Sequence, residues 1–404
     1  MNKSLNQLFT NNNIVFSIVC FALFGIFFGY LLRFDFGDEI GAALLGITCF
    51  WQVCKNPKLL FQPVIICVSV FFVFYTVYSF VISSNVPQAI LHDLVVSLKP
   101  FIGFFGVFLL ALTLSSFQRK IIRCLCVSLA IPCAVIALYS GGLLTGNYNS
   151  MLAFTGSGIN FYSIIIVLAT LYLFCSDFDK KSFVIFFLIL SVGILSGRTK
   201  LYVFLVIALS LYLSGLHKNK LQINLKTALI ALTVIAVTII VAYPKIHFYF
   251  LDANPIYSFQ DARKALYNEA FNLSQTYFPL GTGFAGFGSF ASVKFLSPVY
   301  LENNLFDVLG LELLKGNYAT DAFFASLLGQ FGVVGVLAFF GFFAWIFKYS
   351  LNNFSPKKQY FTLLIILFFL SESFTNSTFT QSFGFIMMMI LGYILSEQKK
   401  IVIN

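Results

Sequence analysis

What most limits the folds open to this chain is a repeated run of apolar residues, plainest in "FSIVCFALFGIFFGYLL" (16–32) and "FQPVIICVSVFFVFYTVYSFVI" (61–82). A helix needs about 20 apolar residues to cross a bilayer's hydrocarbon core, within a range of roughly 17–25. Twelve stretches qualify: 14–32, 38–54, 62–82, 94–115, 121–140, 152–175, 182–197, 199–215, 227–243, 320–347, 360–373 and 381–396. Only 10% of the residues are charged and 59% are hydrophobic, whereas a soluble domain carries about a quarter charged residues. The expected fold class is an all-α polytopic membrane protein with about 12 transmembrane helices. The first stretch is too long for the apolar part of a signal peptide and no small-residue cleavage site follows it, so it is expected to remain as an anchor.

Lysine and arginine orient the bundle. With the N-terminus inside, the short inner loops hold 16 of the 25 basic residues, and 9 are spread over a longer exterior. The acids divide 3 inside and 12 outside. The net charge of +10 is therefore a topology signal and does not call for nucleic acid. All eight cysteines lie in or at the ends of expected helices, which implies no disulfide framework, and the three histidines are scattered. No metal or cofactor is expected.

The chain divides into nine helices (1–243), one long exterior loop (244–319) and three final helices with a short tail (320–404). It shows no internal repeat of the kind that transporters carry. Loops beyond about 12–15 residues are usually functional or disordered, and the aromatic content of this one argues for order. It should fold over the outer mouth of the bundle. Within it, "DARKALYNEAF" (261–271) spaces Ala262, Ala265, Leu266 and Ala270 as a short amphipathic helix lying in the membrane interface. "PLGTGFAGFGSF" (279–290) contains G-x-G-x-x-G at Gly281, Gly283 and Gly286. A dinucleotide fingerprint needs a strand before it and a helix after it in a soluble unit, so that reading fails. A turn-rich loop is the bland alternative. The sharper one has Gly281 and Gly283 letting the backbone approach a ligand closely.

The polar groups expected on the outer face are Arg198 and Lys200 in "SGRTK", Arg263 and Lys264 in the loop helix, Asp321, Glu372 and the run "SESFTNSTFTQ" (371–381). Each has an ordinary explanation. Arg198 and Lys200 can snorkel to headgroups, with Asp35, Asp38 and Glu39 as rival partners. Arg263 and Lys264 can hold an amphipathic helix on anionic lipid. Thr320 or Asp321 can cap the tenth helix, and Glu372 can terminate a helix. Their shared location favours an anionic ligand instead. Two unit charges 4 Å apart interact by about 4 kcal/mol at an effective dielectric near 20, enough for a diphosphate to offset the cost of holding arginines there.

In order and spacing, "SGRTK", then "DARKALYNEAFNLSQTYFPLGTGFAGFGSF", then "TDAFFASLLGQFGVVGVLAFFGFF" resemble the O-antigen polymerase and ligase superfamily. The resemblance covers residues 180–350 in detail and the rest in helix count and loop placement. It implies a multi-spanning glycosyltransferase of the bacterial inner membrane, both termini cytoplasmic, acting at the periplasmic face. Undecaprenyl-diphosphate-linked glycans would be its substrates, membrane lipid and a chain-length regulator its partners, with no metal or nucleotide sugar. By this resemblance Arg198 matches the basic residue after the small-residue turn, and Arg263 the loop arginine ahead of the glycine motif. Ligases tend to carry a histidine where Asp321 stands, which favours a Wzy-type polymerase over a ligase. Arg198 and Arg263 are then expected on the diphosphate, supported by Lys200 and Lys264, with Asp321, then Glu372, to accept the hydroxyl proton. The alternatives are an O-antigen ligase and a non-enzymatic flippase for lipid-linked oligosaccharide. A flippase should line a mid-membrane cavity with charge.

Overall fold

The computed structural model describes residues 37–55, 62–110, 114–147, 149–151, 158–216, 259–313 and 318–396, with isolated positions elsewhere. Among the described residues the chain is all-α, without strands. Among the described residues, seven helices longer than one turn precede the long loop: α1 (Gly37–Lys55), α2 (Pro63–Val81), α3 (Pro87–Leu110), α4 (Ser116–Ser140), α5 (Gly158–Cys175), α6 (Lys180–Val192) and α7 (Thr199–Leu213). The loop contributes α8 (Phe259–Thr276), α9 (Phe290–Lys294) and α10 (Pro298–Glu302). Three helices follow it: α11 (Phe323–Asn353), α12 (Pro356–Glu372) and α13 (Ser382–Ser396). Of the twelve apolar stretches, ten fall on these helices, while 14–32 and 227–243 lie mostly outside the described residues.

Four of the helices (α2, α3, α4 and α11) are long and apolar enough to cross a membrane. On α2 only Ile65, Phe72, Tyr75 and Ser79 are buried, one stripe at helical spacing. Val70, Val73, Val77 and Val81 are exposed on the same helix. A helix apolar all round with a single buried stripe needs lipid on its other faces, so this is a membrane protein. By contrast α13 is buried from Phe383 to Ser396 and forms the centre of the bundle. It runs against α3 at small residues. A Cβ on Gly103 would stand 2.9 Å from the Phe385 ring, and one on Gly392 would strike the Phe104 carbonyl. Such small residues let membrane helices approach where no hydrophobic force draws them together.

A second, smaller core lies in the long loop. Ala262, Leu266, Ala270 and Leu273 form one buried stripe on α8, packed with Phe287, Tyr300, Leu311 and Ala325. The sequence pattern of α8 was amphipathic, as expected, but its apolar face meets protein rather than lipid. This corrects the interfacial placement of 261–271, because periodicity reports a buried stripe without naming what buries it.

The glycine segment is the joint between the loop and α11. At Gly332 the helix breaks, with φ 59° and ψ −158°. The carbonyls that the break frees are taken up at once. Thr282 N donates to Gly329 O (2.9 Å) and Gly283 N to Gln330 O (2.8 Å), while Tyr75 Oη donates to Phe331 O (2.6 Å). A Cβ on Gly281 would lie 2.5 Å from Gly332 N, and one on Gly283 would lie 2.6 Å from Ser79 Oγ. These two glycines do allow a close backbone approach. The partner they approach here is the protein's own broken helix and Ser79.

Candidate functional site

Five charged side chains from four separate segments converge. Arg198 is the residue before α7 and Lys200 lies in its first turn, after a tight reversal in which Gly197 takes φ 62°. Arg263 comes from α8, Asp321 from the two residues ahead of α11, and Glu372 from the end of α12. Arg263 Nη2 donates to Asp321 Oδ2 at 2.6 Å. Lys200 Nζ lies 3.3 Å from Glu372 Oε2. The same Glu372 oxygen accepts from Tyr162 Oη at 2.7 Å and from Thr378 Oγ1 at 3.3 Å. Asn376 donates to Thr378 Oγ1 (2.9 Å) and Gln381 to Asn376 Oδ1 (3.3 Å), which extends the network through the polar run.

Asp321 and Glu372 are 6% and 1% exposed, so the pairs are buried and their charges are screened little by solvent. Burial lifts the Asp321 carboxyl above its ordinary value, and Arg263, then Lys200, then Arg198 pull it back down. Among the described residues three cations face two carboxylates, which leaves one positive charge in excess. Arg198 is exposed and makes no ion pair among the described residues. The Lys200 ammonium is buried against the Glu372 carboxylate. Arg198, the exposed cation, is the group of this cluster that an incoming anion could meet with a charge-assisted bond.

Other expectations fare differently. Lys264, next to Arg263 on α8, is exposed and outside this network. Asp321 does not cap α11, because the cap position falls on Ala322 with no side-chain bond, and its carboxylate is committed to Arg263. The rival partners for Arg198 are also accounted for. Asp38 and Glu39 pair with Lys99 at 2.5 and 3.3 Å, and Asp35 lies outside the described residues.

Beside the cluster is a cavity of about 480 Å³ between α2, α3 and α11. Its walls are apolar, with Phe71, Phe72, Phe331, Phe339 and Trp345 among them. Thr320, Ser377 and Thr380 line one edge. Thr320 adjoins Asp321, and Ser377 Oγ donates to Thr320 O at 2.6 Å, so the cavity edge and the charged cluster share a wall. The cluster's own side chains do not line the cavity.

Two residues went unread in the sequence. Tyr162 looks like one more aromatic in an apolar helix, and nothing in its spacing reveals the Glu372 contact. Asp93 precedes an expected span and resembles a helix-end residue. It is 4% exposed, lines the cavity, and its Oδ2 accepts from Ala285 N at 2.6 Å and Gln330 Nε2 at 2.9 Å. An acid that close to an apolar run was the one available signal. No protein-family model matches the chain, and no curated protein matches it.

Proposed function

We propose that this chain is a metal-independent glycosyltransferase that polymerises undecaprenyl-diphosphate-linked oligosaccharide repeat units, of O-antigen or capsule, at the periplasmic face of a bacterial inner membrane. The observation that carries the reading is the convergence of Arg198, Lys200 and Arg263 on Asp321 and Glu372, with an excess positive charge next to an apolar cavity. Twelve spans with both termini cytoplasmic would put this cluster at the outer surface, where the 16-to-9 division of basic residues leaves cations scarce. The likeness of "SGRTK" and the following segments to the O-antigen polymerase superfamily supports the same reading.

The reaction follows from the charges. The non-reducing-end hydroxyl of a new repeat unit attacks the anomeric carbon of the growing glycan. The bond from that carbon to the diphosphate breaks, and the diphosphate leaves with the electron pair. Arg198 meets the departing charge as a planar fork able to bind two oxygens. Arg263 and Lys200 supply the surrounding positive field. The hydroxyl proton passes to Asp321, whose burial favours its protonated form. Glu372 is the weaker candidate, since Lys200, Tyr162 and Thr378 all occupy one of its oxygens.

The test is Arg198→Ala at matched membrane expression, with lipopolysaccharide resolved on gels. Core carrying a single repeat unit is the expected pattern. A wild-type ladder would remove the diphosphate role. Deletion of the whole gene separates the neighbouring activities, because a missing ligase leaves bare core with polymer still on its carrier.

A further inference from the structure

The cavity between α2, α3 and α11 is polar at one end and apolar at the other. A short turn joins α2 to α3, so Pro63 at the start of α2 and Asp93 near the start of α3 line it at different depths. At the Pro63 end the lip is made of Pro63, Cys67, Ala338 and Gly341. All four are exposed, although they stand on helices long and apolar enough to cross a membrane. A Cβ on Gly341 would meet nothing within 4 Å. That flank opens toward hydrocarbon. The other end carries Asp93, Ser289, Thr320 and Gln330, with exposed His92 and Phe290 beside them.

Asp93 has acceptor capacity to spare. The bonds from Ala285 N and Gln330 Nε2 both fall on Oδ2, and the Ser289 side chain is the third donor to the carboxylate. A carboxylate offers about four acceptor positions, so one is left for a ligand. Thr320 accepts from Ser377 through its carbonyl, and its hydroxyl makes no hydrogen bond among the described residues. Among those residues no Lys or Arg lines the cavity. An anion entering here would meet the Asp93 carboxylate with no cation to offset it. A carboxylate, an amide and hydroxyls set between aromatic walls suit an uncharged ligand with several hydroxyl groups, since pockets fix orientation with a few placed polar groups in a mostly apolar lining. A volume of about 480 Å³ accommodates a sugar residue and part of a chain.

We propose that the Asp93 end of this cavity binds an uncharged sugar carried on a lipid, whose hydrocarbon leaves through the open flank, and that Asp93 and Thr320 select that sugar. The role of this binding in the reaction rests on the transferase reading. There it is the sugar-recognising part of a site whose phosphate part is Arg198, and Thr320, beside Asp321, lies where the two parts meet. The binding itself can be measured without that reading.

Of the two tryptophans, Trp345 lines the cavity and Trp51 is exposed on α1. Full-length Trp51→Phe protein in phosphatidylcholine bilayers therefore reports on the cavity through Trp345 fluorescence. The probes are monoglucosyl diacylglycerol, phosphatidylcholine and phosphatidylglycerol, all with the same brominated, quenching acyl chains. The glucosyl lipid should quench Trp345 at a concentration at least about fivefold lower than either phospholipid. Asp93→Asn should lose most of that preference, and Thr320→Val, which removes one hydroxyl, a smaller part of it. Equal quenching by the three lipids overturns the proposal, as does stronger quenching by phosphatidylglycerol. Full preference in folded Asp93→Asn overturns it too. If that variant does not fold, full preference in Thr320→Val does so instead. Arg198→Ala should keep the wild-type preference, so a normal polymer ladder from that variant would sink the transferase reading while leaving the sugar site standing.

Discussion

Asp321 and Asp93 are both buried acids that tie the long loop to the helices, and they do so by different means. Asp321 is held by charge, with Arg263 against it and Lys200 and Arg198 in its field. Asp93 accepts from the Ala285 backbone N–H and the Gln330 amide, and among the described residues no charged side chain is its partner. A joint made of opposite charges becomes a liability when one partner goes, because the other is left buried and unpaired. A joint made of neutral donors loses only its hydrogen bonds. The first kind is also the kind that an incoming anion can perturb, which is why the candidate site is read at Asp321 and not at Asp93.

The largest expected effect tests that liability. Arg263→Ala should cost about 3–5 kcal/mol of stability, the usual result of orphaning a buried charge, as well as abolishing polymer. Adding Asp321→Asn should recover most of the stability without restoring activity, because the two residues are coupled. Thermal unfolding in detergent alongside the polymer gel reads both. Failure of the double variant to regain stability would mean that the pair is not coupled as drawn.

Next comes the neutral joint. Asp93→Ala should cost about 1–3 kcal/mol for each donor left unsatisfied. Asp93→Asn, which keeps an acceptor oxygen, should cost clearly less. Equal losses from the two would show that the Asp93 charge matters there, and the contrast with Asp321 would fall.

A smaller effect lies in the pH dependence of Asp321. Its carboxyl is raised above the ordinary value of about 3.9, so the folded chain holds that proton more tightly than the unfolded chain does. The resulting stabilisation is fully present below the ordinary value and is lost as pH rises through the raised one. The stability difference between wild type and Asp321→Asn should therefore move against wild type on going from acid to neutral pH. A flat difference curve would contradict the burial argument.

The smallest expected effect on stability belongs to Arg198. It is exposed and unpaired among the described residues, so Arg198→Ala should change stability by no more than about 0.5 kcal/mol, even though it removes the polymer ladder. A large destabilisation would make it a structural residue like Arg263.

By itself the sequence determined the class of the molecule. Apolar runs of bilayer length leave an all-α membrane chain as the answer, since hydropathy is local and additive along the segment. It also marked most of the charged residues that matter, because a cation or acid beside a long apolar run is visible wherever it lies. Their pairing was decided only in three dimensions. Arg263 and Asp321 are 58 positions apart and Tyr162 and Glu372 are 210 apart, and contacts at such separations depend on how helices pack. The break at Gly332 was equally hidden. Glycine permits φ 59° but does not demand it, and the demand comes from Pro279 O and Gly281 N, which fill the space where a side chain would stand. For the same reason the glycine segment read as an approach to a ligand: the sequence announces a close contact, and only the fold supplies the other party.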